Sequence, residues 1–388
     1  MAEPQVVLSA RGAARITHGH CWVYRSDITS TGSLEPGDTV RLTDPHRRFL
    51  GKAWFSSRSQ IALRLLTRSD VPIDEQYFRQ RLEAAIELRD RVVQGSNAYR
   101  VVYGESDGLP SFIVDRYGDY LVLQTLSQAT ERHKATFVRL LQERFSPRAI
   151  VERNDPKVRL LEGLEQTVGV LAGQLDDIVY TQEHGLRLGY DLLHGQKTGG
   201  FLDQRENRLA AAQYSSGEVL DCFTYTGAFA LALARGAQHV EGIDISESAV
   251  AASRKHAELN GLTNLSFRQA NVFDVLKECD DAGRRFHQVV LDPPAFAKNR
   301  ASLPAARRGY KEINLRALKI LKPGGTLVTC SCSHHIPEHM LLEIVAEAAL
   351  DTNRTLTVLE RRTQSRDHPI LLTVPETHYL KCLILRAF

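Results

Sequence analysis

From about residue 186 onward, the chain alternates short apolar runs with longer runs of helical periodicity. The apolar runs that each lead into a helical run are residues 219–222, 240–243, 265–269, 288–291 and 325–329. This alternation predicts a doubly wound, mostly parallel sheet with helices on both faces. Because parallel strands end at one edge of such a sheet, the residues directly after these runs are expected to form the functional site.

The rest of the chain has a different pattern, and its 388 residues exceed the ~250 that one hydrophobic core usually holds. Residues 1–72 contain short alternating runs separated by glycine and proline turns, which is typical of a small β-barrel. Residues 73–185 combine helical runs at 75–93 and 130–144 with hairpin-like strands, which indicates a central α+β domain. Residues 186–388 hold the predicted parallel sheet, so the fold class is α/β.

Charge and cysteine usage restrict the partners. The net charge is +3 for the whole chain and +4 within residues 1–70. This modest basic excess favours RNA contact by the N-terminal domain, although a chance surplus on a solvated face has the same appearance. The six cysteines lack metal-ligand spacing, so no metal is expected. We find neither a signal pattern nor an apolar run approaching the ~18 residues of a membrane span, which predicts a cytoplasmic protein without membrane partners.

A single-glycine turn follows the first predicted parallel strand. The segment from Asp221 to Gly227 reads Asp-Cys-Phe-Thr-Tyr-Thr-Gly, whereas a dinucleotide site would need G-x-G-x-x-G. The missing glycines disfavour NAD and FAD. A strand-terminal acid with one turn glycine suits S-adenosylmethionine, which carries no phosphate and whose amino group needs an acceptor. The predicted cofactor-binding residues in this turn are Asp221, Phe223, Tyr225 and Gly227.

Polar residues also end the next two strands. Asp244 follows the second strand, 23 residues after Asp221, where an acid in nucleotide folds accepts hydrogen bonds from the ribose hydroxyls. Asn271 follows the third strand and is predicted to contact the adenine edge. The two acids could instead only cap the helices that follow them. Their spacing and order together favour the cofactor site.

A polar, glycine-rich segment at residues 196–205 precedes the parallel sheet. We predict that this segment is a loop that closes over the cofactor, with Arg205 placed to pair with a ligand carboxylate. An ordinary helix N-terminus, with Asp203 in its first turn, is the alternative. The predicted cofactor-binding residues in the segment are Lys197, Phe201, Asp203 and Arg205.

The segment after the fourth strand is rigid and aromatic. Asp292 is followed by Pro293 and Pro294, which fix φ and offer no N–H group. The segment looks like the substrate-base clamp of nucleic-acid methyltransferases. Pro293, Pro294 and Phe296 are predicted to bind the substrate, with Phe296 stacked on a flipped base. Asp292 is predicted to be catalytic, at the N3 edge of cytosine.

Two cysteines follow or end the fifth strand, beside that clamp. C5 of cytosine is a poor nucleophile until a group adds to C6, and a thiolate can add there. We predict that Cys332 is this nucleophile, because Cys330 still lies on the strand and Cys332 lies in the loop beyond it. Either cysteine could be a buried small hydrophobe. His334, His335 or a water molecule could remove the C5 proton.

These segments, in this order, resemble the bacterial large-subunit ribosomal RNA 5-methylcytosine methyltransferase I family over essentially the whole chain. The motifs that carry the resemblance are His20 to Tyr24, Gly104 to Pro110, Lys197 to Gly199, Asp203 to Arg205, Cys222 to Gly227, Asp292 to Pro294, Arg308 to Asn314, Asp367 to Pro369 and Tyr379 to Lys381. The resemblance implies an N-terminal PUA domain that binds RNA, a central α/β domain and a class I methyltransferase domain. It also implies 23S ribosomal RNA as substrate, a thiol at Cys332, and allows for a homodimer.

The sequence departs from the family pattern at three positions. Cys21 stands where proline is usual, which should change little. Asn271 stands where aspartate is frequent, so the resemblance leaves the contact at the adenine edge open. Ala295 stands where other RNA 5-methylcytosine enzymes have a second cysteine, so product release cannot use a thiol there.

Several other functions were weighed against these residues. A related fold that methylates a guanine ring nitrogen would keep the Asp-Pro-Pro clamp but would need no nucleophile, so Cys332 discriminates against it. A non-catalytic RNA-binding ribosome assembly factor would be expected to lose Asp221, Asp244 or the clamp. A DNA cytosine-C5 enzyme would carry a Pro-Cys step after the fourth strand, which is absent from this sequence.

Overall fold

The structure is a computed structural model that describes residues 3–297 and 300–388. The chain divides into two compact units. The first contains Met1–Gln182, Gly189–Leu202 and Arg366–Thr377, and the second contains Glu183–Leu188, Asp203–Ser365 and His378–Phe388. Each unit is described separately below.

The N-terminal part of the first unit is a six-stranded sheet with one helix, α1 (Ala10–Thr17). Its strands are β1 (Gln5–Leu8), β2 (Trp22–Tyr24), β3 (Ile28–Thr31), β4 (Thr39–Thr43), β5 (Phe49–Phe55) and β6 (Ile61–Thr67). The strand order is β2-β6-β5-β4-β1-β3, and the pairs are antiparallel except for β1 with β4. Val6, Val23 and Leu63 are fully buried in its core, which follows from the alternating apolar pattern of these strands.

The remainder of the first unit is built on a five-stranded sheet of order β11-β10-β9-β8-β7. Its elements are α2 (Glu75–Val92), β7 (Ala98–Tyr103), β8 (Phe112–Tyr117), β9 (Tyr120–Thr125), α3 (Gln128–Arg132), α4 (Lys134–Phe145), β10 (Ala149–Asn154), α5 (Val158–Leu161) and β11 (Thr167–Gly173). Strands β12 (Val179–Glu183) and β13 (Leu186–Tyr190) form a separate pair.

The single helix predicted at 130–144 is wrong in one respect, because the structure breaks it at His133. Helix α3 ends at Arg132, just before His133, and α4 begins at Lys134, just after it. The His133 ring packs against Phe78 at 4.9 Å between ring centroids and stacks on Trp54 at 5.9 Å. This aromatic packing is a tertiary contact, which helical periodicity does not report.

The second unit contains a seven-stranded sheet with helices. In chain order its elements are α6 (Arg205–Ala212), β14 (Glu218–Cys222), α7 (Ala228–Leu233), β15 (His239–Asp244), α8 (Glu247–Leu259), β16 (Leu265–Gln269), α9 (Val272–Asp281), β17 (Phe286–Leu291), α10 (Leu303–Ile320), β18 (Leu321–Ser331), α11 (Glu338–Asp351), β19 (Leu356–Thr363) and β20 (Lys381–Ala387). The strand order is β16-β15-β14-β17-β18-β20-β19. Strands β14 to β18 run parallel, and β20 pairs antiparallel with both β18 and β19. The predicted α/β class with a Rossmann-like sheet is confirmed.

The register of the parallel strands aligns their carboxyl ends. Cys222 of β14 pairs with Ile243 of β15 on one side and with Leu291 of β17 on the other. Leu291 in turn pairs with Thr329 of β18. All of these residues are buried, as expected for a sheet whose two faces are covered by helices. The loops after β14, β15, β17 and β18 therefore leave the sheet at one edge.

Membrane-spanning helices and clusters of metal ligands are both absent from residues 3–297 and 300–388. None of the described helices combines the length and the apolar character needed to cross a membrane. Within residues 3–297 and 300–388, no group of three or more His, Cys, Asp and Glu side chains is arranged to hold a metal ion. Short 3-10 turns complete the secondary structure at Arg25–Asp27, Gly104–Asp107, Leu202–Gln204, Arg300–Ser302 and Pro375–Thr377.

A buried ion pair anchors α2 in the first unit. The Arg89 guanidinium donates two hydrogen bonds to the Asp107 carboxylate, at 2.6 and 2.8 Å, and a third to the Asp367 carbonyl at 2.8 Å. The Arg89 side chain is fully buried and that of Asp107 nearly so. Loss of either partner would leave a buried charge without compensation.

We expect Arg89→Met to destabilise the protein by about 3–5 kcal/mol, because it removes the cation and leaves Asp107 buried. Urea unfolding of the two proteins would measure the difference. Arg91→Met is the matched control on the same helix, since Arg91 and its partner Glu87 are both largely exposed and 4.0 Å apart. The control should change stability by less than about 0.5 kcal/mol, and equal effects of the two substitutions would contradict the assignment.

Candidate active site

The loop after β14 adopts a costly backbone conformation. Phe223 and Tyr225 have φ values of 63° and 50°, in the left-handed region that bulky residues avoid, and Gly227 has φ 84°. Hydrogen bonds hold the loop: the Thr224 N–H donates to the Ile243 carbonyl at 2.9 Å, and the Tyr225 N–H donates to Asp244 Oδ2 at 2.8 Å. Loops held in such conformations cluster at ligand sites.

Asp221 ends β14 beneath this loop and is 1% exposed. Its Oδ2 accepts hydrogen bonds from the Thr224 hydroxyl and from the Ala230 N–H in the first turn of α7. Its Oδ1 has no hydrogen-bond partner within the described part of the chain. Burial raises the pKa of Asp221 to about 7, and the negative charges of Asp292 and Asp244 add to this effect. One Asp221 oxygen thus stabilises the loop and the start of α7, and the other can accept a hydrogen bond from a positively charged donor.

Asp244 shapes the same loop from the neighbouring strand. Its Oδ2 accepts from Tyr225 N–H, and its Oδ1 accepts from Ser246 N–H at 2.9 Å. Helix α8 is capped by Ser246, whose hydroxyl accepts from the Ala249 N–H. Asp244 is therefore not the helix cap that the alternative interpretation supposed. Ile245 beside it is 70% exposed and offers an apolar surface that the sequence analysis did not single out.

Asn271 lies at the start of α9. Its side-chain oxygen accepts a hydrogen bond from the Phe273 N–H at 2.9 Å, so it is the N-cap of that helix. The side chain is exposed at the end of β16, the strand beside β15. Its contact with the adenine edge stays a prediction.

The segment predicted to close over the cofactor is divided between the two units. Lys197 and Phe201 belong to the first unit, where the Lys197 ammonium lies 4.5 Å from the Phe201 ring centroid. Lys197 has a left-handed φ of 55°. In the same segment the Thr198 hydroxyl donates to Asp115 at 2.6 Å. The roles of Lys197 and Phe201 toward a cofactor stay predictions.

Asp203 and Arg205 belong to the second unit, and both are buried. Asp203 Oδ2 accepts from the Tyr379 hydroxyl at 2.6 Å, and the Asp203 carbonyl accepts from Ser365 N–H at 2.8 Å. Arg205 begins α6 and lies 3.5 Å from the Glu206 carboxylate. These contacts give Asp203 a structural role, and its predicted contact with the cofactor remains untested.

The segment after β17 is partly buried, and the substrate contacts predicted for Pro293, Pro294 and Phe296 stay predictions. Pro293 is buried and Pro294 is exposed. The Phe296 ring contacts Tyr310 of α10 at 4.7 Å between centroids, and a Cβ at Gly309 would lie 3.2 Å from the same ring. In this structure Phe296 is thus a packing partner of α10, because Gly309 leaves room for the ring. Pro294 is the exposed member of the segment.

The two cysteines near the end of β18 have different environments. Cys330 is fully buried and pairs across the sheet with Cys382 of β20. The hydrogen bond with Cys382 and burial raise the pKa of Cys330 well above its usual range, which keeps it a thiol. Cys332 lies just beyond the last residue of the strand and is half-buried. Of the two, Cys332 has the environment of a reactive thiol.

Tyr310 connects the segments after β17 and β18. Its buried hydroxyl lies 3.0 Å from the hydroxyls of both Ser331 and Ser333, the residues that flank Cys332. The Ser333 hydroxyl also accepts from the Ala297 N–H at 3.2 Å. Tyr310 therefore fixes the position of Cys332 relative to the Asp292 segment. This role could not be predicted from the sequence, because an aromatic residue on a helix ordinarily indicates core packing.

Taken together, the second unit gathers Asp221, Asp244, Asp292 and Cys332 at one edge of its sheet. Three of these residues are acids, and the unpartnered Asp221 oxygen can accept a hydrogen bond from an ammonium group. The arrangement fits S-adenosylmethionine, whose positively charged amino group needs such an acceptor. When bound, this cofactor supplies an electrophilic methyl group.

Two protein-family models match the chain. A PUA-like domain matches residues 6–68, and an S-adenosylmethionine-dependent methyltransferase domain matches residues 164–386. The second match contains every candidate site residue named above. It agrees with the cofactor predicted from the loop after β14.

Curated relatives are similar over nearly the whole chain. Ribosomal RNA large subunit methyltransferase I of Tolumonas auensis is 41% identical over 95% of both chains, and the protein of that name from Vibrio cholerae is 42% identical over 93% of this chain and 94% of its own. Among solved structures, a methyltransferase complexed with SAH superposes with a TM-score of 0.85 over 98% of this chain and 99% of its own. Because the two sequences are 21% identical, this superposition shows a similar fold and nothing about function.

We expect Asp221→Asn to weaken S-adenosylmethionine binding and to abolish its pH dependence below neutrality. The wild-type carboxyl has a pKa of about 7, so its charge is lost as the pH falls through 7. Affinity should then fall by up to about tenfold per pH unit. Calorimetric titration at pH 6, 7 and 8 would measure both effects, and a pH-independent wild-type affinity would contradict the role of Asp221.

The same substitution should affect folding in the opposite sense. A carboxyl group whose pKa is raised in the folded state stabilises the fold fully below its usual pKa of 3.8, and this contribution is lost progressively as the pH rises from there to about 7. The cofactor-free Asp221→Asn protein should therefore gain stability relative to the wild type above pH 7, as measured by urea unfolding at pH 6 and pH 8.

Asp244→Ala should weaken cofactor binding by about 1–3 kcal/mol, because a charged hydrogen-bond partner is lost and the Tyr225 N–H is released. Calorimetry measures this change. Glu247→Ala is the matched control, since Glu247 is an exposed acid in the first turn of α8 and its loss should leave affinity unchanged. Unchanged affinity in Asp244→Ala would remove Asp244 from the site.

Proposed function

The chain belongs to the family of S-adenosylmethionine-dependent methyltransferases that includes ribosomal RNA large subunit methyltransferase I, and from this premise we propose that it forms 5-methylcytidine in 23S ribosomal RNA. The observation that carries the proposal is the position of Cys332. This half-buried thiol follows β18, next to β17, whose end carries Asp292. A methyltransferase acting on a nitrogen has no need of a nucleophile at that position.

The proposed chemistry begins at the thiolate of Cys332. Its sulfur forms a bond to C6 of the cytosine, which makes C5 electron-rich enough to take up the methyl group. Loss of the C5 proton then restores the double bond as the bond between sulfur and C6 breaks, which returns the thiolate. The Tyr310 contacts to Ser331 and Ser333 support this role, because they hold the attacking sulfur in a fixed loop.

Asp292 is proposed to orient the base at its N3 edge. It is half-buried at the end of β17, and its N–H lies 3.5 Å from the Cys222 carbonyl at the end of β14. Pro293 and Pro294 give this segment a fixed backbone, and exposed Pro294 is available to the substrate. Phe296 would have to leave its contact with Tyr310 to stack on a base.

The group that removes the C5 proton remains open between His334 and His335, acting directly or through water. Both follow the Ser-Cys-Ser segment, where His334 is exposed and His335 is half-buried. Their rings are in edge contact, 5.4 Å apart.

The choice of RNA as substrate is supported by the PUA-like match at residues 6–68 and by the names of the curated relatives. The basic excess of residues 1–70 is in keeping with contact to a phosphate backbone.

Cys332→Ala should abolish methyl transfer to RNA while leaving S-adenosylmethionine binding intact, because the thiol adds to the base and does not hold the cofactor. The test is nucleoside mass spectrometry of 23S RNA from cells that lack this gene, incubated with purified protein and methyl-labelled S-adenosylmethionine. Label in 5-methylcytidine is the expected result for the wild-type protein.

Cys330→Ala is the matched control, since Cys330 is two residues away, fully buried and held as a thiol. It should keep turnover within about threefold of the wild type, since a buried small-residue change acts mainly on stability. Near-wild-type turnover by Cys332→Ala would overturn the covalent mechanism. Label in a methylguanosine would keep the fold and cofactor but replace the proposed substrate.

A further inference from the structure

Lys381 is a buried cation at the start of a strand whose next four residues are apolar or cysteine. It begins β20, pairs with Ser331 at the end of β18, and is 3% exposed. The strand continues Cys-Leu-Ile-Leu, which are all buried. Lysine is rarely buried to this extent unless it has a partner, so its environment needs an explanation that sheet packing does not provide.

The Lys381 ammonium joins two segments next to the active-site loop. Its Nζ donates to the carbonyl of Ser333, the residue after Cys332, at 2.8 Å. It also donates to the Tyr379 carbonyl at 2.8 Å, and the Tyr379 hydroxyl in turn donates to Asp203. The lysine therefore holds the backbone immediately after Cys332.

The charge of this lysine is not balanced by an acidic side chain. Within residues 3–297 and 300–388, no carboxylate lies within ion-pair distance of Lys381. Burial lowers the pKa of Lys381 to about 8, and the neighbouring Cys332 opposes this shift. Lys381 and Cys332 are therefore close enough for their charges to interact, and the effect of each charge on the other is mutual.

Other charged groups around this position do not take over that role. Arg362 of β19 lies opposite Cys382, next to Lys381, but its guanidinium is paired with Glu360 at 2.6 Å. Asp292 at the end of β17 is negative and raises the pKa of Cys330, so it opposes a second anion nearby. His334 is exposed to solvent. Among these groups, Lys381 is thus the buried cation closest in the sheet pairing to the Cys332 loop.

We propose that Lys381 is a positioning residue that holds the Cys332 loop through the Ser333 carbonyl and stabilises the thiolate form of Cys332. The thiol proton leaves to solvent, and Lys381 acts in its charged form, which is the form that predominates below its pKa of about 8. The catalytic consequence rests on the proposed function, in which Cys332 is the nucleophile. The effect on thiol acidity does not depend on it.

The test is the pH dependence of Cys332 alkylation by iodoacetamide, followed by peptide mass spectrometry on the full-length protein. The other five cysteines are all buried, so Cys332 is the accessible one. Lys381→Met removes the charge, and the midpoint of alkylation should move to higher pH by about one unit or more, with about tenfold slower alkylation at pH 7.

Two further variants separate charge from structure. Lys381→Gln keeps a donor for the Ser333 carbonyl but carries no charge, so its midpoint should shift as in Lys381→Met. Lys381→Arg keeps the charge, and its midpoint should stay near that of the wild type. Thermal unfolding and S-adenosylmethionine affinity, measured in parallel, establish that each variant is folded.

An unchanged midpoint in a folded Lys381→Gln or Lys381→Met protein would overturn the proposal. If Lys381→Met does not fold, the alkylation midpoint of Lys381→Gln decides the question. Methyl transfer is measured separately on Cys332→Ala, so the two proposals can fail independently. Retained turnover in Cys332→Ala with a shifted midpoint in Lys381→Gln would disprove the covalent mechanism alone.

Discussion

The parallel register of β14, β15, β17 and β18 is the constraint on which the candidate site depends. Because Cys222, Ile243, Leu291 and Thr329 lie side by side across these strands, the residues that follow them leave the sheet at the same edge. Residues separated by more than 100 positions in the chain thereby meet at one place. A single-residue slip of one strand would turn its final side chain to the other face of the sheet.

This convergence has an electrostatic consequence. Three acids meet at the edge, and the most deeply buried of them, Asp221, has its pKa raised to about 7 by burial and by the charges of Asp292 and Asp244. The negative charges of these three carboxylates repel one another unless a positive group lies beside them. In the proposed arrangement, S-adenosylmethionine would provide positive charge beside Asp221, and Lys381 would provide it beside Cys332. The same principle, an anion stabilised by a nearby cation, would then apply to both halves of the site.

The sequence indicates candidate residues that follow the apolar runs and gives no indication of residues that act from elsewhere. Asp221, Asp244 and Asp292 are candidates because each lies at or directly beside the end of a predicted strand. Lys381 could not, because its importance comes from the pairing of β20 with β18, a contact between distant segments. Phe296 was expected to face the substrate, yet its ring packs on α10 beside Gly309. Strand pairing and side-chain direction are tertiary properties, and local patterns do not determine them.

The contrast between Cys330 and Cys332 shows how a small change in backbone course decides reactivity. Residues two apart on a strand face the same side, so a longer β18 would have buried Cys332 as it buries Cys330. The strand instead ends at Ser331, where the Tyr310 hydroxyl contacts both flanking serines and Lys381 binds the Ser333 carbonyl. These contacts turn the chain away from the sheet after one residue. The turn therefore leaves Cys332 half-buried in the loop beyond β18, whereas Cys330 stays fully buried within the strand.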